Sequence, residues 1–305
     1  YVIRNALLYI PMLIYIYNRG LTIKETNFFL QIISIFGVIS IIAFLVFHEI
    51  TPTLDSAVVL FSLGGDFLQY NSYVPYLTFP FSASVYLAIS QPSKIKKILF
   101  SIISIAIFSY IVITTSRQSI IFCILVLLIF SSLDRKIFKL FLKSIISILI
   151  LSFLFLPVYL SNIEISEKLI SKTTSIEGLS SDETDRISTA IDGLSRLSDI
   201  ELMIGAGVSS VISSGPHNDF VRWTQRIGII GALVAFLPFL ISFIGSLKLM
   251  RKKYSIYHAF VFIGIFYTIY ISFFGYPRED AYQAPFVWLG LSLWLIINKQ
   301  TVNMK

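Results

Sequence analysis

Arg117, Arg186 and His217 are the side chains of this chain whose types and settings suit group transfer to or from a phosphorylated substrate. Thr114-Thr115-Ser116-Arg117-Gln118-Ser119 parts two apolar runs by almost nothing, so Arg117 sits at a membrane edge. There an arginine either snorkels to lipid phosphate or turns into a cavity, where its planar five-donor fork grips a substrate phosphate. Ser180-Ser181-Asp182-Glu183 fits a capping box, and Ile187, Ala190, Ile191 and Leu194 follow at helical spacing. This pattern predicts an amphipathic helix over about 182–198, lying on or near the membrane. Arg186 falls in its first turns, where it either pairs with Asp182 on a solvated face or reaches a substrate; Arg196 falls near its end. Gly205-Ala206-Gly207 then permits a tight turn or a close approach to a ligand.

Ser214-Gly215-Pro216-His217-Asn218-Asp219-Phe220 is the most pointed local signal. Pro216 suits a first helical position and Asp219 the positive end of a helix dipole, which places His217 at the start of the span that follows. That position disfavours imidazolium, and a neutral imidazole can act as a general base; the alternative is a histidine that only bonds a loop carbonyl. Arg222 and Arg226, four apart, share a helix face and bind either lipid head groups or a diphosphate. With Asn218, Arg196 and Arg278 of the Tyr276-Pro277-Arg278-Glu279-Asp280 stretch, they make up the candidate substrate-binding set. No HExxH, cysteine cluster or histidine pair at ligand spacing is present, so no metal is expected, and no P-loop or dinucleotide fingerprint calls for a cofactor.

The elements that must position these residues are spans. The chain is 56% hydrophobic and only 13% charged, against about a quarter in a soluble domain, so it reads as a polytopic, all-α membrane protein. Nine apolar runs are long enough to cross: 2–17, 28–47, 73–90, 98–115, 118–133, 144–161, 227–247, 257–274 and 283–298. None alternates at barrel period, so helices are the expected form. Ala57 to Leu63 is too short to span and reads as interfacial or re-entrant, or equally as a packed loop. Pro75, Pro80 and Pro157 are expected to kink helices. Cys123, mid-span and alone, reads as a small buried apolar residue. The chain opens at Tyr1 near an apolar run, so further N-terminal spans are expected before it.

Loop charge orients the spans. The loops at 18–27, 91–97, 134–143 and 248–256 and the tail after 298 hold most of the 24 Lys and Arg, with only Glu25 and Asp134 of the 17 acids. The other loops hold the remaining acids, and the two kinds alternate without exception. By the positive-inside rule the basic set is cytoplasmic. The net charge of +7 therefore reflects membrane orientation rather than a nucleic-acid surface. This puts Arg117, Arg278 and the long polar loop 162–226 outside, in one membrane domain covering 1–305.

These residues, in order, resemble the O-antigen ligase/polymerase superfamily of bacterial envelope proteins over roughly 98–245. The matching pieces are Thr115-Ser116-Arg117 opening a span, Arg186-Ile187-Ser188-Thr189-Ala190-Ile191 in the large loop, Gly205-Ala206-Gly207-Val208, His217-Asn218-Asp219-Phe220-Val221, and Ile227-Gly228-Ile229-Ile230-Gly231. The resemblance implies a lipid-sugar glycosyltransferase fold of the GT-C type and a metal-independent, inverting glycosyl transfer from undecaprenyl diphosphate. In that reaction His217 would be the base on the acceptor hydroxyl. Arg117 and Arg186 would hold the departing diphosphate, neutralising charge as it builds. It implies the bacterial inner membrane, with the site on the periplasmic face. Its expected partners are the undecaprenyl-diphosphate-linked oligosaccharide, membrane lipid, a chain-length regulator and a flippase, with no nucleic acid.

The first reading is a polymerase of repeat units for O-antigen, capsule or exopolysaccharide, favoured by a composition low in charge and rich in Ile, Phe and Lys. The alternative is a ligase that passes the finished glycan to lipid A core or another acceptor. A transporter or flippase would place charges near the bilayer midplane, often in paired halves; here the spans are nearly free of charge.

Overall fold

The structure is a computed structural model. It describes residues 14, 18–20, 22–47, 60–61, 67–68, 70–113, 117–132, 191–207, 218–253, 255–273, 287 and 289–295. The elements are α1 (Ile23–Phe47), a two-residue antiparallel hairpin of β1 (Leu60–Phe61) and β2 (Phe67–Leu68), α2 (Tyr70–Ser90), α3 (Lys94–Ile113), α4 (Arg117–Ser131), α5 (Asp199–Ile204), α6 (Asp219–Lys253) and α7 (Ile256–Ser272). A further helical stretch covers 289–295.

Among the described residues, three helices are long and apolar enough to cross a membrane: Ile23–Ala43, Lys94–Val112 and Phe220–Arg251. Val74–Ser90, Gln118–Ser131 and Ile256–Ser272 are shorter apolar helices. The chain is thus a helical membrane protein. Apart from Ile14, the expected span at 2–17 lies outside the described residues, as do the span at 144–161 and the kink at Pro157. The apolar run at 57–63 enters the hairpin, pairing Leu60 with Leu68 and Phe61 with Phe67; Gly64 and Gly65 fall between the two strands.

α2 is the hub. It packs against α1, α3, α4 and α7. From Val74 to Leu87 its side chains are buried, apart from half-buried Tyr76. Two prolines lie inside it, Pro75 and Pro80. Proline removes a helix donor and leaves a carbonyl free. Hydroxyls work along the same stretch: Thr78 Oγ1 donates to Pro75 O at 2.6 Å, Ser82 Oγ to Thr78 O at 2.7 Å, and Tyr267 OH reaches Pro75 O at 3.5 Å. These bonds go to carbonyls within the stretch, not to those of residues 71 and 76 that stand four positions before the prolines, so they add hydroxyl partners along the helix without replacing the lost proline donors.

Between membrane helices apolar burial gives little drive, because lipid is as apolar as the partner; close packing of small residues takes its place. A methyl on Gly37 would lie 2.7 Å from Pro80 Cβ, where α1 crosses α2, and one on Gly290 would lie 2.8 Å from the Gly264 carbonyl of α7. Aromatic contacts fill the rest. Phe79 meets Phe260 and Tyr267, and Phe122 meets Phe266, Tyr267 and Tyr270, all with centroids 5.3–6.0 Å apart. Cys123 is buried in this core.

The two ends of the bundle can be told apart by their contacts. At one end the start of α1 meets the end of α2 through Tyr86 OH and Asn27 Oδ1, 3.0 Å apart, and Tyr86 lies against Tyr257 at the start of α7. α1 begins there on a capping box: Thr22 Oγ1 accepts from Glu25 N while Glu25 Oε2 accepts from Thr22 N. At the other end the start of α4 and the start of α6 meet the last turn of α7.

Candidate functional site

α6 is not one rod. Phe220 and Phe236 are sixteen positions apart, which a straight helix would separate by about 24 Å. Their rings instead stack with centroids 3.8 Å apart. The reversal is at Gly228, whose φ of 72° and ψ of 173° break the helix. A polar half-helix, 219–227, therefore folds back beside the first turns of the segment that crosses. From 229 to 251 that segment is still about 34 Å long, enough for a hydrocarbon core of about 30 Å.

Breaking a helix frees the carbonyls before the break. Here two of them are taken by the glycine turn that follows α5: Ala206 N donates to Gln225 O at 2.8 Å and Gly207 N to Arg226 O at 3.2 Å. The contact is backbone on backbone. A methyl on Gly228 would lie 2.0 Å from Met203 O, and one on Gly205 would lie 2.3 Å from Arg226 O. Gly205-Ala206-Gly207 and the glycine of Ile227-Gly228-Ile229 are thus one structural unit: the first supplies the donors for the carbonyls that the second exposes.

The half-helix begins on Asn218, not on Pro216. Asn218 Oδ1 accepts from Phe220 N at 2.9 Å and Val221 N at 3.2 Å, an N-cap that makes Asp219 the first helical residue, three positions after the expected Pro216. Asn218 Nδ2 reaches Phe273 O, one residue past α7, at a long 3.5 Å, and the Phe220 ring lies 4.9 Å from that of Phe273. One turn back on α7, Tyr270 OH donates to Gln118 O at 2.9 Å. Gln118 adjoins Arg117, the first residue of α4. The Gln118 carbonyl, one residue after Arg117, and the cap next to His217 are therefore both bonded to the end of α7.

Asn218, Arg222, Gln225 and Arg226 recur at helical spacing on one side of the half-helix. Arg222 and Arg226 are half-buried and both interact with neighbours. Gln225 is 5% exposed, and its Nε2 has no hydrogen-bond partner. A methyl on Gly193 would lie 2.2 Å from that atom, so the 191–195 helical turn rests on this stripe. At the start of α4, Gln118 Oε1 is likewise buried without a partner. A donor and an acceptor of amide type are thus left open near the candidate residues. Sequence reasoning passed over both glutamines, though each stands beside an arginine that it singled out.

The expected helix over 182–198 is described only from 191. It ends at Ser195, with Arg196 in the turn after it and Ile191 exposed rather than packed. Arg196 pairs with Asp192 at 2.8 Å across one turn, an exposed pair of small worth. The chain restarts with a capping box on α5. Ser198 Oγ accepts from Glu201 N at 3.3 Å and Glu201 Oε2 accepts from Ser198 N at 2.9 Å. The Ser198 backbone bond, then the Ser198 hydroxyl, hold the Glu201 carboxyl below the usual carboxylate range. The Ser180–Glu183 box, Arg186, His217 and Arg278 lie outside the described residues, as does the Arg117 side chain. Among the described residues no three His, Cys, Asp or Glu side chains are grouped to hold a metal.

Fold and site together define a helical membrane protein whose polar half-helix is bent back onto a crossing segment. Compared with models of protein families and with curated proteins, the chain matches none.

Proposed function

We propose that this chain is a glycosyltransferase of the O-antigen ligase/polymerase kind. It joins undecaprenyl-diphosphate-linked repeat units into O-antigen, capsule or exopolysaccharide at the outer face of the inner membrane. One observation supports this above the others: the start of α4, which bears Arg117, and the cap of α6, which adjoins His217, converge on the last turn of α7. These positions are a hundred residues apart in sequence, and a diphosphate leaving group and an attacking hydroxyl need groups held together in this way.

In the proposed reaction His217 takes the proton of the acceptor hydroxyl as its oxygen forms a bond to the anomeric carbon. The bond from that carbon to the diphosphate oxygen breaks on the opposite side, inverting the centre. Arg117 and Arg186 neutralise the departing diphosphate, and Arg222 and Arg226 extend the cationic surface along the half-helix. Preorganised cations of this sort act where charge develops, so no nucleotide is required.

Purified protein supplied with lipid-linked repeat units, in detergent and without a membrane gradient, tests the reading. Product ladders are expected, and His217→Ala should abolish them while single units accumulate. Transfer only to a lipid A core acceptor would make it a ligase. Ladders of normal length from His217→Ala would remove the base assignment. No transfer by the native protein, together with uptake of the lipid-linked units into vesicles, would make it a carrier.

A further inference from the structure

α5 carries two kinds of surface. Its start is polar, closed by the Ser198–Glu201 box. Ile200, Met203 and Ile204, at i, i+3 and i+4, form a stripe that is 71%, 48% and 66% exposed. The stripe adjoins the bend of α6, because Met203 O and Ile204 N are among the atoms that a methyl on Gly228 would strike. Just past that bend, Ile229, Ile230, Leu233 and Val234 begin an exposed apolar line that continues at helical period through Leu237, Leu240, Ile241 and Ile244. That line lies on the segment long enough to cross the membrane. The apolar stripe of α5 therefore adjoins the exposed apolar line of the segment long enough to cross.

We propose that α5 lies in the membrane–water boundary at this end of the bundle. Ile200, Met203 and Ile204 sit among the acyl chains, and the Ser198–Glu201 box and the Asp192–Arg196 pair stay in the head-group layer. A short amphipathic helix buries its apolar face to about 5–10 Å in such a boundary. The backbone bonds from Ala206 and Gly207 to the bend then fix the depth of α5 relative to the crossing segment. This placement does not depend on the reaction proposed above.

Nitroxide labels test it in the full chain, in vesicles of phosphatidylethanolamine and phosphatidylglycerol, with Cys123→Ala as background. Labels are placed singly through Ile200→Cys, Met203→Cys and Ile204→Cys. Leu233→Cys gives the lipid reference and Asp199→Cys the aqueous one. Oxygen should collide with the three α5 labels several-fold more often than a water-soluble nickel chelate does, as at Leu233, with the order reversed at Asp199. Free access of the chelate at 200, 203 and 204 would overturn the proposal. So would low access of both reagents there, because that would mean a second copy or another protein covers the stripe. The three positions are independent, so one variant that fails to insert leaves the other two to decide.

Discussion

Replacing single glycines by alanine separates backbone strain from contact at the bend. Gly207 and Gly228 both hold positive φ, 96° and 72°. A residue with a side chain in such a region costs on the order of 1–3 kcal/mol. At Gly207 that is the whole effect, because nothing lies within 4 Å of the added carbon. At Gly228 the carbon meets Met203 O at 2.0 Å and Met203 C at 2.3 Å, both backbone atoms that cannot swing aside. α5 must lift away, and the bonds from Ala206 and Gly207 to the Gln225 and Arg226 carbonyls go with it. Two such bonds add roughly 1–3 kcal/mol, at about 0.5–1.5 each. Gly228→Ala should therefore destabilise by about 2–6 kcal/mol, and Gly207→Ala by no more than about 3. The assay is thermal unfolding of detergent-purified protein, each variant measured beside the native chain, with a nitroxide at Met203→Cys reporting whether α5 stays docked. Equal losses from the two variants, or a docked α5 in Gly228→Ala, would refute the claim that glycine turn and bend are one unit.

Asn218→Ala should lose about 1 kcal/mol with the helix cap, whereas Asn218→Asp keeps the cap oxygen and should lose less, which unfolding midpoints will rank. Tyr270→Phe removes the hydroxyl that holds Gln118 O; polymer formation should fall while the protein stays folded, and native activity would show that this tie does not position Arg117. Arg117→Lys keeps charge but loses the planar fork, and severe loss of transfer is expected; full activity would mean that the residue only snorkels. Glu201 has a lowered folded-state pKa, so its cap is fully formed at neutral pH and is lost as pH falls through that lowered value. A Met203→Cys nitroxide should thus become more mobile in acid, and Glu201→Gln should remove most of that pH dependence.

Helix positions were open to reading because the bilayer demands long apolar runs. The runs expected at 28–47, 73–90, 98–115, 118–133 and 257–274 correspond to α1, α2, α3, α4 and α7, with ends shifted by a few residues. The shift at α1 has a local cause: the Thr22–Glu25 box starts the helix on polar residues before the apolar run. The half-helix 219–227 was not legible as a separate element. Its sequence is polar, and its reversal depends on partners at 203–207 that no local window contains. The Ser198-Asp199-Ile200-Glu201 signal was present and passed over, since the longer pattern upstream drew the helix to 198. At the site, Asn218 could be foreseen at a helix start from its residue type. The open amides of Gln118 and Gln225 could not, because only tertiary burial makes a glutamine notable.

The bend also decides which surface the cationic side chains of the half-helix present to a substrate in the proposed reaction. In a straight helix, Arg222 and Arg226 would continue the line of the crossing segment, ahead of its first turn. Folding back at Gly228 turns the half-helix, so that its start lies beside Phe236 rather than about 24 Å from it. The polar stripe is thereby laid alongside the crossing segment, and its cap is brought to the last turn of α7, where α4 begins. A glycine at 228 with φ of 72° is what this placement requires, and the donors that stabilise it, Ala206 N and Gly207 N, come from the glycine turn before it. Two weak sequence signals, each common alone, thus acquire one shared physical role: holding the half-helix that carries Arg222 and Arg226 alongside the crossing segment.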